Sequence, residues 1–263
     1  MSYPSYPSDS LRSATVSRLR AAGCVFAEDE AELLLAAARD AVELDAMAAR
    51  RVAGLPLEQV VGWAAFSGLR IAVDPGVFVP RRRTEFLVGS AVGLARPGAV
   101  CVDLCCGSGA AAAVLLSAVP DAEVHASDVD PAAVRCARRN VEPRGGRVYE
   151  GDLFGPLPRE LRGRVEVLVA NVPYVPSAEV GLLPAEAREH EPLVALDGGA
   201  DGLDVLRRVA AEADAWLAPG GSLLSETSER QCAAALDALA TAGLTPRVVT
   251  DEDLYATVVV ATR

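Results

Sequence analysis

The chain has 263 residues, 51% of them hydrophobic and 23% charged, with a formal net charge of −11. That length suits one large domain or a large and a small one, and the lack of any apolar run near the roughly 20 residues of a transmembrane helix argues against a membrane protein. The acidic balance argues against general nucleic-acid binding, which needs clustered Lys and Arg to neutralise phosphates.

Residues 1–10, MSYPSYPSDS, lack the basic start and apolar core of a secretory signal. They read as a flexible tail, which leaves the cytoplasm as the expected location. Residues 11–62 are rich in Ala, Leu, Arg and Glu, with Leu33, Leu34, Ala37, Ala38, Ala41 and Val42 at helical spacing, and predict a small helical N-terminal domain. Residues 63–83 form a connector in which Gly68, Pro75, Gly76 and Pro80 punctuate short apolar pieces. The alternation over Leu69 to Val73 suggests a hairpin. At its end, Arg81-Arg82-Arg83 reads either as a solvated turn or as a contact for an acidic or RNA-containing partner.

From residue 84 to 263 apolar strands alternate with Ala-rich helices, the pattern of an α/β domain with a parallel, helix-covered sheet. The predicted strands are Val100 to Leu104, Glu123 to Asp128, Arg147 to Gly151, Val165 to Ala170 and Ser222 to Ser225. A last pair, Pro246 to Thr250 and Ala256 to Thr262, is separated only by Asp251 to Tyr255. So short a link cannot make a parallel crossover, so this pair is antiparallel. Five parallel strands ending in a hairpin describe the seven-stranded, Rossmann-like methyltransferase sheet; a dinucleotide-binding dehydrogenase domain ends on parallel strands. The six cysteines form no CxxC pair and the chain has two histidines, which argues against a zinc or other metal site; the thiols read as small buried hydrophobes.

Carboxyl ends of strands in open α/β sheets are where ligands bind, and here they carry polar residues in succession. Val102-Asp103-Leu104-Cys105-Cys106-Gly107-Ser108-Gly109 follows the first strand and opens a helix at Ala110; Gly107 and Gly109 let backbone approach a ligand, with free N–H groups behind them. The dinucleotide spacing GxGxxG is not met, since Ala112 stands where the third glycine would fall. Asp128 ends the second strand and suits the two hydroxyls of a ribose, with Asp130 as the cap of the helix starting at Pro131. Asp152 with Leu153 and Phe154 follows the third strand, either bracketing an adenine or as plain core. Gly-x-Gly, Asp and Asp on three tips fit S-adenosylmethionine better than NAD.

The fourth strand stops on Asn171-Val172-Pro173-Tyr174, where proline takes the chain out of the sheet. An amide or amine nitrogen that attacks a methyl sulfonium must point its lone pair along the sulfur–carbon axis. Two acceptors, the side-chain oxygen of Asn171 and the carbonyl of Val172, would hold its N–H groups, and the flat ring of Tyr174 would lie against the planar group. The alternative is an ordinary turn with a surface tyrosine.

These residues resemble the HemK/PrmC family of protein-glutamine N5-methyltransferases, whose hallmark after strand four is Asn-Pro-Pro-Tyr. The likeness runs over most of the chain: Ala31 to Leu35, Pro56 to Gly62, Phe66 to Arg70, Pro75 to Arg81 with Thr84-Glu85, and Glu191 to Gly199 with Asp201-Gly202-Leu203. It implies a substrate-recognition role for residues 11–62 and methylation of a glutamine side-chain amide in a protein, with the Gly-Gly-Gln loop of a peptide chain release factor as typical substrate. It assigns cofactor roles to Asp103, Gly107, Gly109, Asp128 and Asn171, with Cys105 at the family's first loop glycine, and more loosely to Asp152 and Leu153. Substrate roles fall on Asn171, Val172, Pro173 and Tyr174. Three departures suggest a diverged paralogue: Cys105 for glycine, Val172 for proline, and Arg82-Arg83 where the family has Pro-Glu or Pro-Asp. The alternatives left open are a methyltransferase acting on a small molecule, a peptide or a nucleic-acid base, a cofactor-binding protein without turnover, and a dehydrogenase.

Overall fold

The computed structural model describes residues 9–263. The expected tail falls mostly on residues 1–8, outside the described residues; its last two residues, Asp9 and Ser10, already belong to a helix. Four helices come first: α1 Asp9–Ala21, α2 Ala27–Ala37, α3 Ala41–Val52 and α4 Leu57–Val61. The Asp40 carboxylate caps α3 by accepting the Glu43 N–H at 2.8 Å. The apolar stripes of these helices, with Leu19, Ala31, Leu34, Leu44, Met47 and Val60, close on one another in a cluster separate from the main core. The expected hairpin follows as β1 Trp63–Phe66 and β2 Leu69–Ala72, paired antiparallel.

The α/β part contains α5 Thr84–Leu94, β3 Val100–Leu104, α6 Ala110–Ala118, β4 Glu123–Asp128, α7 Pro131–Val141, β5 Arg147–Glu150, β6 Val165–Ala170, α8 Ala185–His190, α9 Asp204–Trp216, β7 Leu217–Glu226, α10 Cys232–Thr241, β8 Thr245–Asp251 and β9 Ala256–Thr262. The seven strands are ordered β5-β4-β3-β6-β7-β9-β8. Five run parallel, and β9 lies antiparallel to both β7 and β8, as the short final link requires. Strands read apolar on both faces because helices cover both. Along β9, Val258 and Val260 pack under α5 to α7, while Val259 and Ala261 join Leu206, Val209, Trp216 and Leu239 of α9 and α10 on the other face. No helix among the described residues is long and apolar enough to cross a membrane.

Two features of this frame position the site. The chain winds outward from β3 to β5, then returns to β6 on the other side of β3, so the loops after β3 and β6 diverge and leave a crevice between them. Register makes the two loops start level: Leu104 pairs with Ala170 and Ser127, so Cys105, Asn171 and Asp128 leave the sheet side by side. The hairpin is strapped to this region by buried Asn140 of α7. Its side-chain oxygen accepts the Ala72 N–H at 2.9 Å, and its amide group donates to the carbonyls of Ala72 and Ser108 at 2.9 and 2.8 Å.

Candidate active site

A cavity of about 470 Å³ opens in the crevice, walled by the loops after β3, β4 and β6, by the connector around Phe78 to Thr84, and by the segment from Leu183 to Leu196. Of the residues singled out in the sequence, Asp103, Cys105, Gly107, Asp128, Asn171, Val172, Pro173 and Tyr174 line it. Gly109, Asp152 and Leu153 do not. A Cβ on Gly109 would lie 2.8 Å from Val141 Cγ2 and 3.0 Å from Ala137 Cβ, so this glycine lets α6 approach α7. The Asp152 carboxylate turns outward to an ion pair with Arg208, and Leu153 and Phe154 are core residues, Phe154 stacking on Trp216 at 5.2 Å. The plain-core reading of that pair is the one the packing supports.

At the β3 and β4 tips, carboxylates organise backbone. Asp128 accepts the N–H groups of Gly107 at 2.8 Å and Asp130 at 2.9 Å, and Asp130 in turn caps α7 by accepting from Ala132 at 2.8 Å. Burial raises the Asp128 pKa, against those two N–H groups. Asp103 accepts the Ala112 N–H at 3.1 Å; burial pushes its pKa up to about 7, with the Asp128 charge adding to the rise. Cys105 adopts φ +54°, the left-handed region where glycine would be at ease, so the departure from the family pattern carries backbone strain. Burial raises the thiol pKa of Cys105 and Cys106, which keeps both protonated.

The β6 tip is built differently. Asn171 Oδ1 is buried and has no hydrogen-bond partner among the described residues, an acceptor left open in the cavity wall. Val172 replaces the family's proline, and its side chain is buried in the core beneath the loop, which anchors the segment without a ring. Glycines fix the backbone from outside: a Cβ on Gly198 would lie 2.6 Å from the Pro173 carbonyl oxygen, and one on Gly202 would overlap the Tyr174 carbonyl. Val175 and Gly198 complete this bracket through Val175 N–H to Leu196 at 3.0 Å and Gly198 N–H to Val175 at 2.8 Å.

Tyr174 belongs to a polar network that the sequence did not reveal. Its hydroxyl donates to Glu226 Oε1 at 2.7 Å and accepts from Arg83 at 2.6 Å; Arg83 Nε also donates to Glu226 Oε1 at 2.6 Å, and Thr84 donates to Oε2 at 2.7 Å. Burial and the Glu226 charge raise the Tyr174 pKa, so the phenol stays protonated. Arg81 is likewise committed inside, to the fully buried Glu191 at 2.6 Å, while Val79 N–H donates to the same carboxylate at 3.2 Å. Arg81 and Arg83 thus pair with buried carboxylates, while Arg82 and Arg83 lie in an exposed turn, so the solvated-turn reading holds for Arg82 and in part for Arg83. Glu226 and the role of Glu191 are what sequence reasoning missed; Glu191 stood in the family-like block Glu191 to Gly199 and Arg82-Arg83 carried unusual charge, but neither signal pointed to an ion pair.

A family model described as methyltransferase small domain matches residues 68–183. The chain is 41% identical over 182 residues to a release factor glutamine methyltransferase of Geobacter sulfurreducens, covering 68% of this chain and 63% of that protein. It is 40% identical over 210 residues to the protein of that description from Mycolicibacterium smegmatis, covering 79% of this chain and 74% of the relative. A 4-amino-L-phenylalanine/4-methylamino-L-phenylalanine methyltransferase of Streptomyces pristinaespiralis is 40% identical over 193 residues, 70% of this chain and 65% of that one. Among solved structures, a methyltransferase from Pyrococcus furiosus shares the fold with TM-score 0.57 at 18% identity, covering 81% of this chain and 96% of that chain.

Proposed function

We propose that this chain, which belongs to the release factor glutamine methyltransferase family, transfers a methyl group from S-adenosylmethionine to the side-chain amide nitrogen of a glutamine in a protein. The observation that carries the reading is the open acceptor of Asn171 at the β6 tip, level with the β3 and β4 tips. The residues fit the cofactor: Asp128 suits the ribose hydroxyls, and Asp103 with the Gly107 loop suits the charged amino-acid end. When bound, that cofactor supplies an electrophilic methyl group already activated by its sulfonium. Everything else is positioning by the chain. Asn171 Oδ1 and the Val172 carbonyl accept the two N–H groups of the amide, which turns the nitrogen lone pair toward the reacting carbon. Tyr174 lies flat against the amide, held by Glu226 and Arg83. Glu226, with three donors on its two oxygens, serves the ring and not the nitrogen.

The helices α1 to α4 form the substrate-recognition part in this reading, and the site has no role for a metal or for general nucleic-acid binding. The cysteines are all free thiols, consistent with a reducing cytoplasm. The test is incubation of the protein with isotopically labelled S-adenosylmethionine and a purified release factor, followed by mass spectrometry. The label is expected on the glutamine of the Gly-Gly-Gln loop; no incorporation by a protein that binds S-adenosylhomocysteine would reject the substrate.

A second reading is methylation of an aromatic amine on a small amino acid. It is favoured by the 40% identity to the 4-amino-L-phenylalanine methyltransferase and by Val172 and Arg83, which depart from the glutamine-specific pattern. Adding 4-amino-L-phenylalanine to the same assay separates the two.

A further inference from the structure

The wall formed by Arg83, Tyr174 and Glu226 has a second side. There it faces a groove of about 800 Å³ between the end of β7 and the β8–β9 turn, lined further by Thr227, Glu229, Asp251, Glu252, Asp253 and Tyr255. Five carboxylates surround this groove against one guanidinium, and that guanidinium is already paired with Glu226 at 2.6 Å. Glu229, Asp251, Glu252 and Asp253 enter no ion pair among the described residues. An acidic cluster alone would be an ordinary solvated face in a chain of this charge. Two other observations point to a ligand. Thr227, only 5% exposed, lines the groove, and its buried hydroxyl has no partner among the described residues. Tyr255, 90% exposed, offers a bare aromatic ring at its edge.

We propose that this groove holds a positively charged stretch of the substrate polypeptide, with lysine or arginine side chains flanking the residue that is methylated. The inference rests on the reading of the site as a protein methyltransferase and adds the charge of its substrate. Tyr174 is the hinge of the geometry: one wall of the cofactor cavity and one wall of the groove, so a residue seated beside Asn171 leaves its chain neighbours over the carboxylates. A concave run of one sign of charge raises the local concentration of opposite charge and speeds encounter. The Tyr255 ring can receive a guanidinium or ammonium on its face, and Thr227 Oγ1 can accept from an N–H group.

The experiment uses the full chain and two fluorescein-labelled peptides that share a Gly-Gly-Gln core and differ only in flanking residues, Lys in one and Glu in the other. Binding is read by anisotropy with S-adenosylhomocysteine present, and transfer by mass spectrometry with labelled S-adenosylmethionine. The lysine peptide is expected to bind at least about tenfold more tightly, with the gap shrinking in high salt. The triple variant Asp251→Asn, Glu252→Gln, Asp253→Asn should close the gap while leaving S-adenosylhomocysteine affinity unchanged. Equal binding of the two peptides, no binding of either, or a gap that survives both salt and the triple variant overturns the proposal. Preferential binding of the lysine peptide without methylation of either leaves the groove standing and removes the amide-transfer reading alone.

Discussion

The two halves of the crevice are built on opposite principles. On the β3 and β4 side, carboxylates at strand tips accept N–H groups from loops and a helix start within about one strand–helix unit of themselves, Asp128 from Gly107 and Asp130, Asp103 from Ala112. On the β6 side, the parts come from far along the chain: Arg83 and Thr84 meet Tyr174 and Glu226 across sequence separations of 91 to 143 residues. The first half uses local geometry that tolerates little change of backbone. The second depends on side chains delivered by the connector and by β7, so its chemistry can change by substitution without disturbing the sheet. The Arg82-Arg83 and Val172 departures lie in the second half, where the substrate sits in the proposed reaction.

Breaking the second half should hurt most. Asn171→Ala is expected to lower single-turnover methyl transfer by about a hundredfold or more, with melting temperature unchanged, because misplaced nucleophiles lose about that factor. Parent-like turnover would end its assigned role. Glu226→Ala strips Tyr174 and Arg83 of their shared acceptor and should cost about 1.5–3 kcal/mol in denaturant unfolding, with S-adenosylhomocysteine affinity retained. In the first half, Asp128→Ala should weaken cofactor binding by about 1–3 kcal/mol in titration calorimetry, since a charged acceptor and the anchor of Gly107 go together. Unchanged affinity would remove the ribose assignment.

Asp103 gives the comparison a pH signature. Its carboxyl titrates near 7 when folded, against about 4 in the unfolded chain, so the folded state holds the extra proton. The stability it contributes is full below about pH 4 and is lost as the pH climbs through about 7. A cationic cofactor favours the ionised form, so affinity should rise a few-fold as pH passes through that same range, and Asp103→Asn should flatten the profile. Smallest is Cys105→Gly, which relieves a φ of +54° but loosens the unfolded chain; thermal unfolding should show a gain below about 1 kcal/mol.

The same contrast explains what the sequence made legible. Strand tips, the final antiparallel pair and the Asn171–Tyr174 turn declare themselves through short-range signals: apolar runs, a five-residue link, and prolines that end pairing. Whether a glycine serves a ligand or a neighbouring helix has no such signal, and Gly109 belongs to the helix. Leu153 and Phe154 are apolar either way, and only the Trp216 stack assigns them to the core. Ion pairs such as Arg81 with Glu191, 110 residues apart, follow no period at all, so nothing in the arginine run announced that two of its three members pair with buried carboxylates.

One asparagine makes the hairpin's attachment sensitive to a single charge. Asn140 holds Ala72 through both its oxygen and its amide group and reaches Ser108 beside the crevice. Replacement by aspartate would keep the acceptor but exchange both donors for an anion facing two carbonyl oxygens, a buried repulsion in place of two bonds. The Asn140→Asp variant should therefore release the hairpin from the loop after β3 before the sheet itself loosens.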